Sequence, residues 1–272
     1  MALCKDPSVT FLNNDGYNVV KLPRAGIEPL DVLGKDSSTE LLGPLSSVWK
    51  SSVAVPSPGA PQPVTSIEGK KTSKLDLSIG LKVLANVLSA FGATTPSLSA
   101  QFQKAKTVQF SYSNVVSVSI APLVAGNFLA SGNLNTDNPA VEHYFADDDA
   151  QAFLIFDVLK SNQISVVAQD QSGVDLKVDV PAIQGLVGAN VGVTTASSSD
   201  QTLKFTGPGQ VTFGFKALEI AFENGKWKLK GAKASADLAF AVGVGGAASE
   251  SSVDDDEPIL LRTGGLLNLK KT

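Results

Sequence analysis

Residues able to do chemistry are few in this chain, and their spacing serves no familiar site. Its 272 residues hold one histidine, His143, and one cysteine, Cys4. An internal disulfide is excluded, and so are the Cys/His pairs of zinc frameworks. Neither G-x-S-x-G nor H-E-x-x-H occurs. Gly69-Lys70-Lys71-Thr72 has the ending of a phosphate loop, but Val64 stands where its first glycine belongs and Lys71 where Ser or Thr is required. Gly243, Gly245 and Ala248 fit G-x-G-x-x-A, yet an acidic run follows them instead of a helix. His143 lies near Glu142, Asp147, Asp148 and Asp149, a set of oxygen and imidazole donors whose ordinary use is a solvated acidic loop. No catalytic residue, metal or cofactor is expected, and a hydrolase with a dispersed site is the only enzymatic reading left.

Cys4 is the residue with chemistry of its own. Beside Lys5 in the opening MALCKDPSVTF, it is too terminal to be assigned to a core. It is either an inert thiol or, next to a membrane, a site of S-acylation. That opening has no basic leader followed by an apolar run, so a cytosolic start is expected. Residues 182–199 are uncharged but interrupted by Gln184, Gly185, Gly188, Asn190 and Gly192, which leaves no helix expected to span a bilayer.

The elements that must position anything else are mainly strands. Period-two alternation places Leu75, Leu77, Ile79 and Leu81 on one face of a strand; Val108, Phe110 and Tyr112 form a second, Val174, Leu176, Val178 and Val180 a third, and Val211, Phe213 and Phe215 a fourth. Residues 218–223 and 226–230 flank Asn224-Gly225, a strong hairpin signal. Residues 153–159 and 164–168 read as more buried strands. Two of the alternating runs pass into helical periodicity, with Val83, Leu84, Val87, Leu88 and Phe91 on one helix face and Ile183, Leu186, Val187 and Val191 on the other. Residues 75–91 and 174–190 align without a gap, and VQFSY at 108 matches VTFGF at 211, a weak internal repeat of strand, helix, strand; chance similarity between two units of an α+β domain gives the same pattern. The fold expected is α+β, a mainly antiparallel sheet with short helices.

The formal charge is −4, with 18% charged residues against about 25% in ordinary domains, which disfavours nucleic acid as a partner. Residues 55–63 carry four prolines and read as a loop. Residues 245–257, small and then acidic, read as a linker that isolates a tail bearing Ile259, Leu260, Leu261, Leu266, Leu267 and Leu269. Burying those six is worth roughly 9 to 18 kcal/mol gross, below the roughly 22 kcal/mol needed to order about 15 residues. Such a tail binds weakly when free and firmly when tethered at millimolar effective concentration. A permanent final strand is the other reading of it.

The opening CKDPSVTFLNNDGYNVVKLPRAGIEPLDVLGK, residues 4–35, resembles the N-terminal signature of bacterial gasdermins. The resemblance implies a strongly twisted antiparallel sheet with surrounding helices, like the pore-forming half of animal gasdermins, and a short C-terminal inhibitory segment. Residues 1–244 would be the pore-forming domain, 245–257 a protease-sensitive linker and 258–272 the autoinhibitory peptide. It further implies S-palmitoylation of Cys4, an activating protease encoded nearby, and a chain that is monomeric and cytoplasmic before cleavage. After cleavage it would be a homo-oligomer in the inner membrane, killing the cell in defence against phage. Residues 73–82 supply the length of a membrane-crossing strand, and the fourteen alternating residues from Leu75 to Phe215 would meet lipid. The same alternation suits a soluble sheet with one wet face, so a non-catalytic β-rich binding or structural protein is the competing reading.

Overall fold

The computed structural model describes residues 12, 16–36, 39–72, 74–93, 98–146, 150–195, 201–230, 266–267 and 270–271. Along the chain these form β1 (Asn18–Arg24), β2 (Asp31–Lys35), β3 (Thr39–Pro44), α1 (Leu45–Val48), β4 (Trp49–Ser51), β5 (Gln62–Pro63) and β6 (Leu75–Asp76). Then come α2 (Leu77–Ala90), a 3₁₀ turn (Leu98–Phe102), β7 (Thr107–Ser113), β8 (Val116–Ser119), α3 (Pro122–Ala130), β9 (Gly132–Leu134) and α4 (Pro139–Ala146). The last are β10 (Gln151–Gln169), α5 (Val180–Val187), β11 (Gly192–Thr195), β12 (Thr202–Glu223), β13 (Lys226–Lys230), β14 (Leu266–Leu267) and β15 (Lys270–Lys271). Cys4, residues 147–149, residues 245–257 and the tail residues Ile259, Leu260, Leu261 and Leu269 lie outside the described residues. Among those described, no helix is long and apolar enough to cross a membrane.

The two longest strands, β10 and β12, are antiparallel neighbours from Ala152↔Ile220 to Val167↔Thr202. Among the described residues, six short strands pair directly with one member of this pair or the other. Along β10 lie β2, β8 and β7; along β12 lie β13, β1 and β11. The expected strands at 153–159 and 164–168 are one strand, apolar on both faces because it is covered on both, as its nearly unbroken burial records. The Asn224-Gly225 turn is present, with φ of 54° and 75° joining Glu223 to Lys226.

Two expected strands are corrected. Of the run from Leu75 to Leu81, only Leu75 and Asp76 are extended, and Leu77, Ile79 and Leu81 belong to helix α2. The physical reason is that Leu77, Leu81, Leu84 and Leu88 also satisfy the i, i+4, i+7, i+11 spacing of a helix. The helical choice buries Val83, Leu84, Val87 and Leu88 on one core. Val174, Leu176 and Val178 form no strand, and Val180 opens α5. Here Asp170 accepts hydrogen bonds from the backbone N–H of Ser172 and Val174, Gly173 takes φ +79°, and the chain doubles back on the end of β10. Pro181 then favours the start of a helix.

The largest core lies under the two helical units. It joins Val83, Leu84, Val87, Leu88 and Phe91 to Ile183, Val187 and Val191, and both helices to Val108, Phe110, Leu203, Phe205 and Val211. Helix α2 comes so close to β7 that a methyl group at Gly80 would overlap Val108. Gly80→Ala sets a helix gain of about 1 kcal/mol against an overpacking cost of about 1–3 kcal/mol, and the packing should win. A melting temperature about 2–6 °C below the parent is expected. Gly185→Ala in α5, where nothing stands within 4 Å, should raise it instead.

Candidate functional site

The site is the end of the molecule where the two repeat units share a core, together with the sheet edges that frame it. Val108, Phe110 and Val211 are buried there, and Leu75, Leu77, Leu81, Tyr112, Leu176, Val178 and Val180 pack partly buried around them. Sequence residues from two units about a hundred positions apart are therefore brought onto one surface. The rings of Tyr112 and Phe213 stack at 4.0 Å and 3°, joining β7 to β12 across β10. Phe215 lies further along β12, in a different core with Val20, Leu33 and Phe153. Ile79 and Val174 are the exceptions on the outside, 37% and 58% exposed.

Besides the core that Ile183 and Val187 enter, one side chain fastens the second helical unit to the strand that follows it. Gln184 on α5 donates from Nε2 to the carbonyls of Gly188 and Val191, each at 2.9 Å, and its Oε1 accepts from the N–H of Val193 at 2.9 Å. The amide thereby couples α5 to β11 as one body. Asp179 caps the start of the same helix by accepting from the Ala182 N–H.

Halfway along the long strands is a polar knot that sequence reasoning missed. Asp157, buried in β10, accepts from the Tyr17 hydroxyl and the Ser117 hydroxyl, both at 2.7 Å. Lys216 stands opposite Asp157 in the ladder and lies 4.2 Å from the centroid of the Tyr17 ring. The start of β1, β8, β10 and β12 are tied together there. Its only sequence signal was a single charge within the apolar run FLIFDVL. Beside it, burial pushes the Asp31 carboxyl above the ordinary carboxylate range and holds the Arg24 guanidinium below its own. Lys160 pairs with Glu28 on the same loop.

At the opposite end, the last strands of the chain lie on the sheet's two terminal members. β14 runs parallel to β1, with Val19↔Leu266 and Val20↔Leu267, and β15 runs parallel to β3, with Lys270↔Glu40 and Lys271↔Leu41. Only residues 268–269 separate the two, so the path β14-β1-β12-β10-β2-β3-β15 returns on itself. Val20, Ile27, Leu33, Leu41, Phe153, Ile155, Val158, Phe215 and Ala217 form the core associated with these strands. Among the described residues no group of three His, Cys, Asp or Glu is placed to hold a metal ion, and His143 faces Asp36 at 3.4 Å.

A coiled, mainly antiparallel sheet with two helical units on one shared core defines a mixed α+β body whose organised features are edges and apolar surfaces. The chain belongs to the bacterial gasdermin family, a family of pore-forming cell-death effectors. The family model described as Bacterial Gasdermin Family matches residues 20–228. A gasdermin from Vitiosangium sp. is 38% identical over 272 residues, covering 99% of both chains. One from Lysobacter enzymogenes is 35% identical, over 83% of this chain and 84% of its own. In fold, the chain is similar to the structure of a bacterial gasdermin from Bradyrhizobium tropiciagri, with a TM-score of 0.59 at 19% identity, over 82% of this chain and 90% of that one.

The Gln184 amide satisfies three backbone groups that a hydrocarbon side chain would leave unpaired. Gln184→Leu is expected to lower the unfolding free energy by about 2–4 kcal/mol, from net contributions of about 0.5–1.5 kcal/mol per bond. Urea titration checks the value, and hydrogen exchange should show the loss concentrated at residues 184–195.

Proposed function

We propose that this protein is an autoinhibited pore former, activated when a protease, the product of a neighbouring gene, removes its C-terminal peptide. The cut falls within residues 245–258. The freed body then oligomerises in the bacterial inner membrane as a large β-barrel and kills the cell in defence against phage. The chain rests as a cytoplasmic monomer and does no catalysis.

The observation that carries this reading is the double patterning of residues 75–88. As a helix they bury Val83, Leu84, Val87 and Leu88. As a strand they would place Leu75, Leu77, Ile79, Leu81, Val83, Ala85 and Val87 on one face and Asp76, Ser78, Gly80, Lys82, Leu84, Asn86 and Leu88 on the other, a clean alternation through Val83 that Leu84 and Leu88 then interrupt. That run is longer than the roughly 9–11 tilted residues that cross the hydrocarbon. The refolded side chains would exchange a protein core for lipid tails of similar apolarity. Residues 174–187 repeat the pattern more weakly, with Pro181 and Gly185 interrupting it. In the barrel, Val108, Phe110 and Tyr112 on β7, and Val211, Phe213 and Phe215 on β12, would continue the lipid-facing rows. The pairing of β14 and β15 with β1 and β3 supports an inhibitory role for the tail, since the tail then holds the sheet in its closed form. A palmitoyl group on Cys4 would add a single acyl chain, whose membrane affinity alone is marginal and reversible.

The chain ending at residue 250 should release dye from vesicles of phosphatidylethanolamine and phosphatidylglycerol, and the full chain should not; equal release by both, or none by either, overturns the reading. Ile79 and Val174 are exposed here, so Ile79→Lys and Val174→Lys should leave the melting temperature near the parent's. At the membrane midplane a lysine on the lipid face costs roughly 2–4 kcal/mol per subunit. Leakage by the truncated variants should fall at least tenfold, while Ser78→Lys, on the water face, should leave it nearly intact. Intact-mass spectrometry of protein made in a bacterial host should show one added fatty-acyl mass that Cys4→Ala lacks.

A further inference from the structure

Between β4 and β5 the chain crosses the surface as an extended strap. Residues 55–63 read VPSPGAPQP, and this sequence leaves the backbone little choice. The rings of Pro56, Pro58, Pro61 and Pro63 hold φ near about −65°. Val55, Ser57, Ala60 and Gln62 each precede a proline and are driven to extended backbone. Only Gly59 escapes both restrictions, and no turn or bend occurs between residues 54 and 61. The result is a polyproline II segment, a left-handed helix of about three residues per turn without internal hydrogen bonds.

The strap is fastened in step with that period. Pro56 is partly buried, the Gly59 N–H donates to the Ser119 carbonyl at 2.8 Å, and Gln62 pairs with Ser117 on β8. The Val64 N–H continues the attachment on the Val115 carbonyl at 2.9 Å. At the other end, the Ser51 hydroxyl meets that of Ser131 at 2.9 Å and accepts from the Val53 N–H. Every third residue is thus turned to the body. The row one step earlier, Val55, Pro58 and Pro61, is exposed throughout.

The chemistry of this row selects its partner. Residues 51–67 contain no Asp, Glu, Lys or Arg, so a nucleic acid or an anionic lipid headgroup finds no counter-charge there. The four prolines have no N–H to give, which closes the strap to an added strand. What fits is a protein groove lined by aromatic rings, which packs proline rings of a preformed segment at small entropic cost. We propose that the strap docks the activating protease through such a groove. The inference rests on the reading of activation by cleavage and adds the surface on which the protease meets the resting chain. The strap lies outboard of β8 at the level of Asp157, and β15 lies outboard of β3 at the level of Ala152, on the same flank of β10. With about 3.4 Å per residue along a strand and about 4.8 Å between strands, the two are on the order of 20 Å apart. The chain from residue 258 to 270 spans up to roughly 40 Å, enough to bring the cut window to a protease seated on the strap.

The test is the kinetics with which the protease encoded beside this gene cuts the full chain. Pro58→Ala with Pro61→Ala removes two rings of the outward row, and Val55→Asn with Pro58→Asn is a second variant. All three positions are exposed, so both variants should melt close to the parent. The KM for cleavage should rise at least tenfold while kcat changes less than twofold, the pattern of binding lost equally from ground and transition states. Once fully cut, each variant should release dye from phosphatidylethanolamine and phosphatidylglycerol vesicles as fast as the parent. An unchanged KM, or a loss confined to kcat, overturns the docking strap and leaves activation by cleavage standing; a full chain that the protease never cuts overturns both. Slower dye release from the fully cut variants assigns the strap to the pore and overturns the proposal. A dimer of the resting chain in light scattering, lost with Pro58→Ala and Pro61→Ala, assigns the row to a second copy and overturns it equally.

Discussion

The hydrogen-bonded ladder between β10 and β12 is the constraint to which the rest of the sheet answers. Among the described residues, β2, β7 and β8 join the sheet through β10, and β1, β11 and β13 through β12, while β3, β5, β6 and β14 hang one place further out and β15 two. The ladder is not uniform. Between Ser161↔Val211 and Gln163↔Thr206 the register jumps, and residues 207–210 loop out of the pairing. The end of α2 lies in that gap: a Cβ at Gly207 would run into Phe91, and one at Gly209 would come within 2.8 Å of the Ala90 carbonyl. The two halves of the ladder are thereby given different company. One half carries the closed loop of strands completed by β14 and β15, and the other carries the two helical units.

Those units combine tight docking with poor intrinsic helix formation. α2 has a glycine at its closest approach to β7, and α5 contains Gly185 and ends at Gly188. An interior glycine costs roughly 1 kcal/mol relative to alanine, so tertiary contacts, chiefly the shared core and the Gln184 amide, keep these segments helical. A segment whose structure is imposed by its neighbours is one that changes structure when the neighbours change.

Sequence reading went furthest where local chemistry decides the outcome. The alternation of β7 and the Asn224-Gly225 turn were legible, since a strand's period and a turn's φ angles are properties of a few adjacent residues. So were the buried faces of both helices. The beginning of α2 was not, because Leu77 and Leu81 satisfy periods of 2 and 3.6 together and only the core they meet chooses between them. Residues 174–179 failed for another reason: an Asp170 side-chain turn and Pro181 override an alternating pattern that is genuinely there. The closures that matter most, Tyr17 to Asp157 and β14 to β1, join residues 140 or more positions apart, and no window along the chain contains both partners.

The clasp of β14 and β15 has one more consequence. The hydrogen bonds of β pairing run between main-chain atoms, so they place little demand on which side chains the paired residues carry. What such a clasp does require is enough chain between Lys230 and Leu266 to deliver the strand in the right direction. The clasped residues can therefore change their side chains while the closed sheet persists, whereas the body around β10 and β12 is bound by its packing.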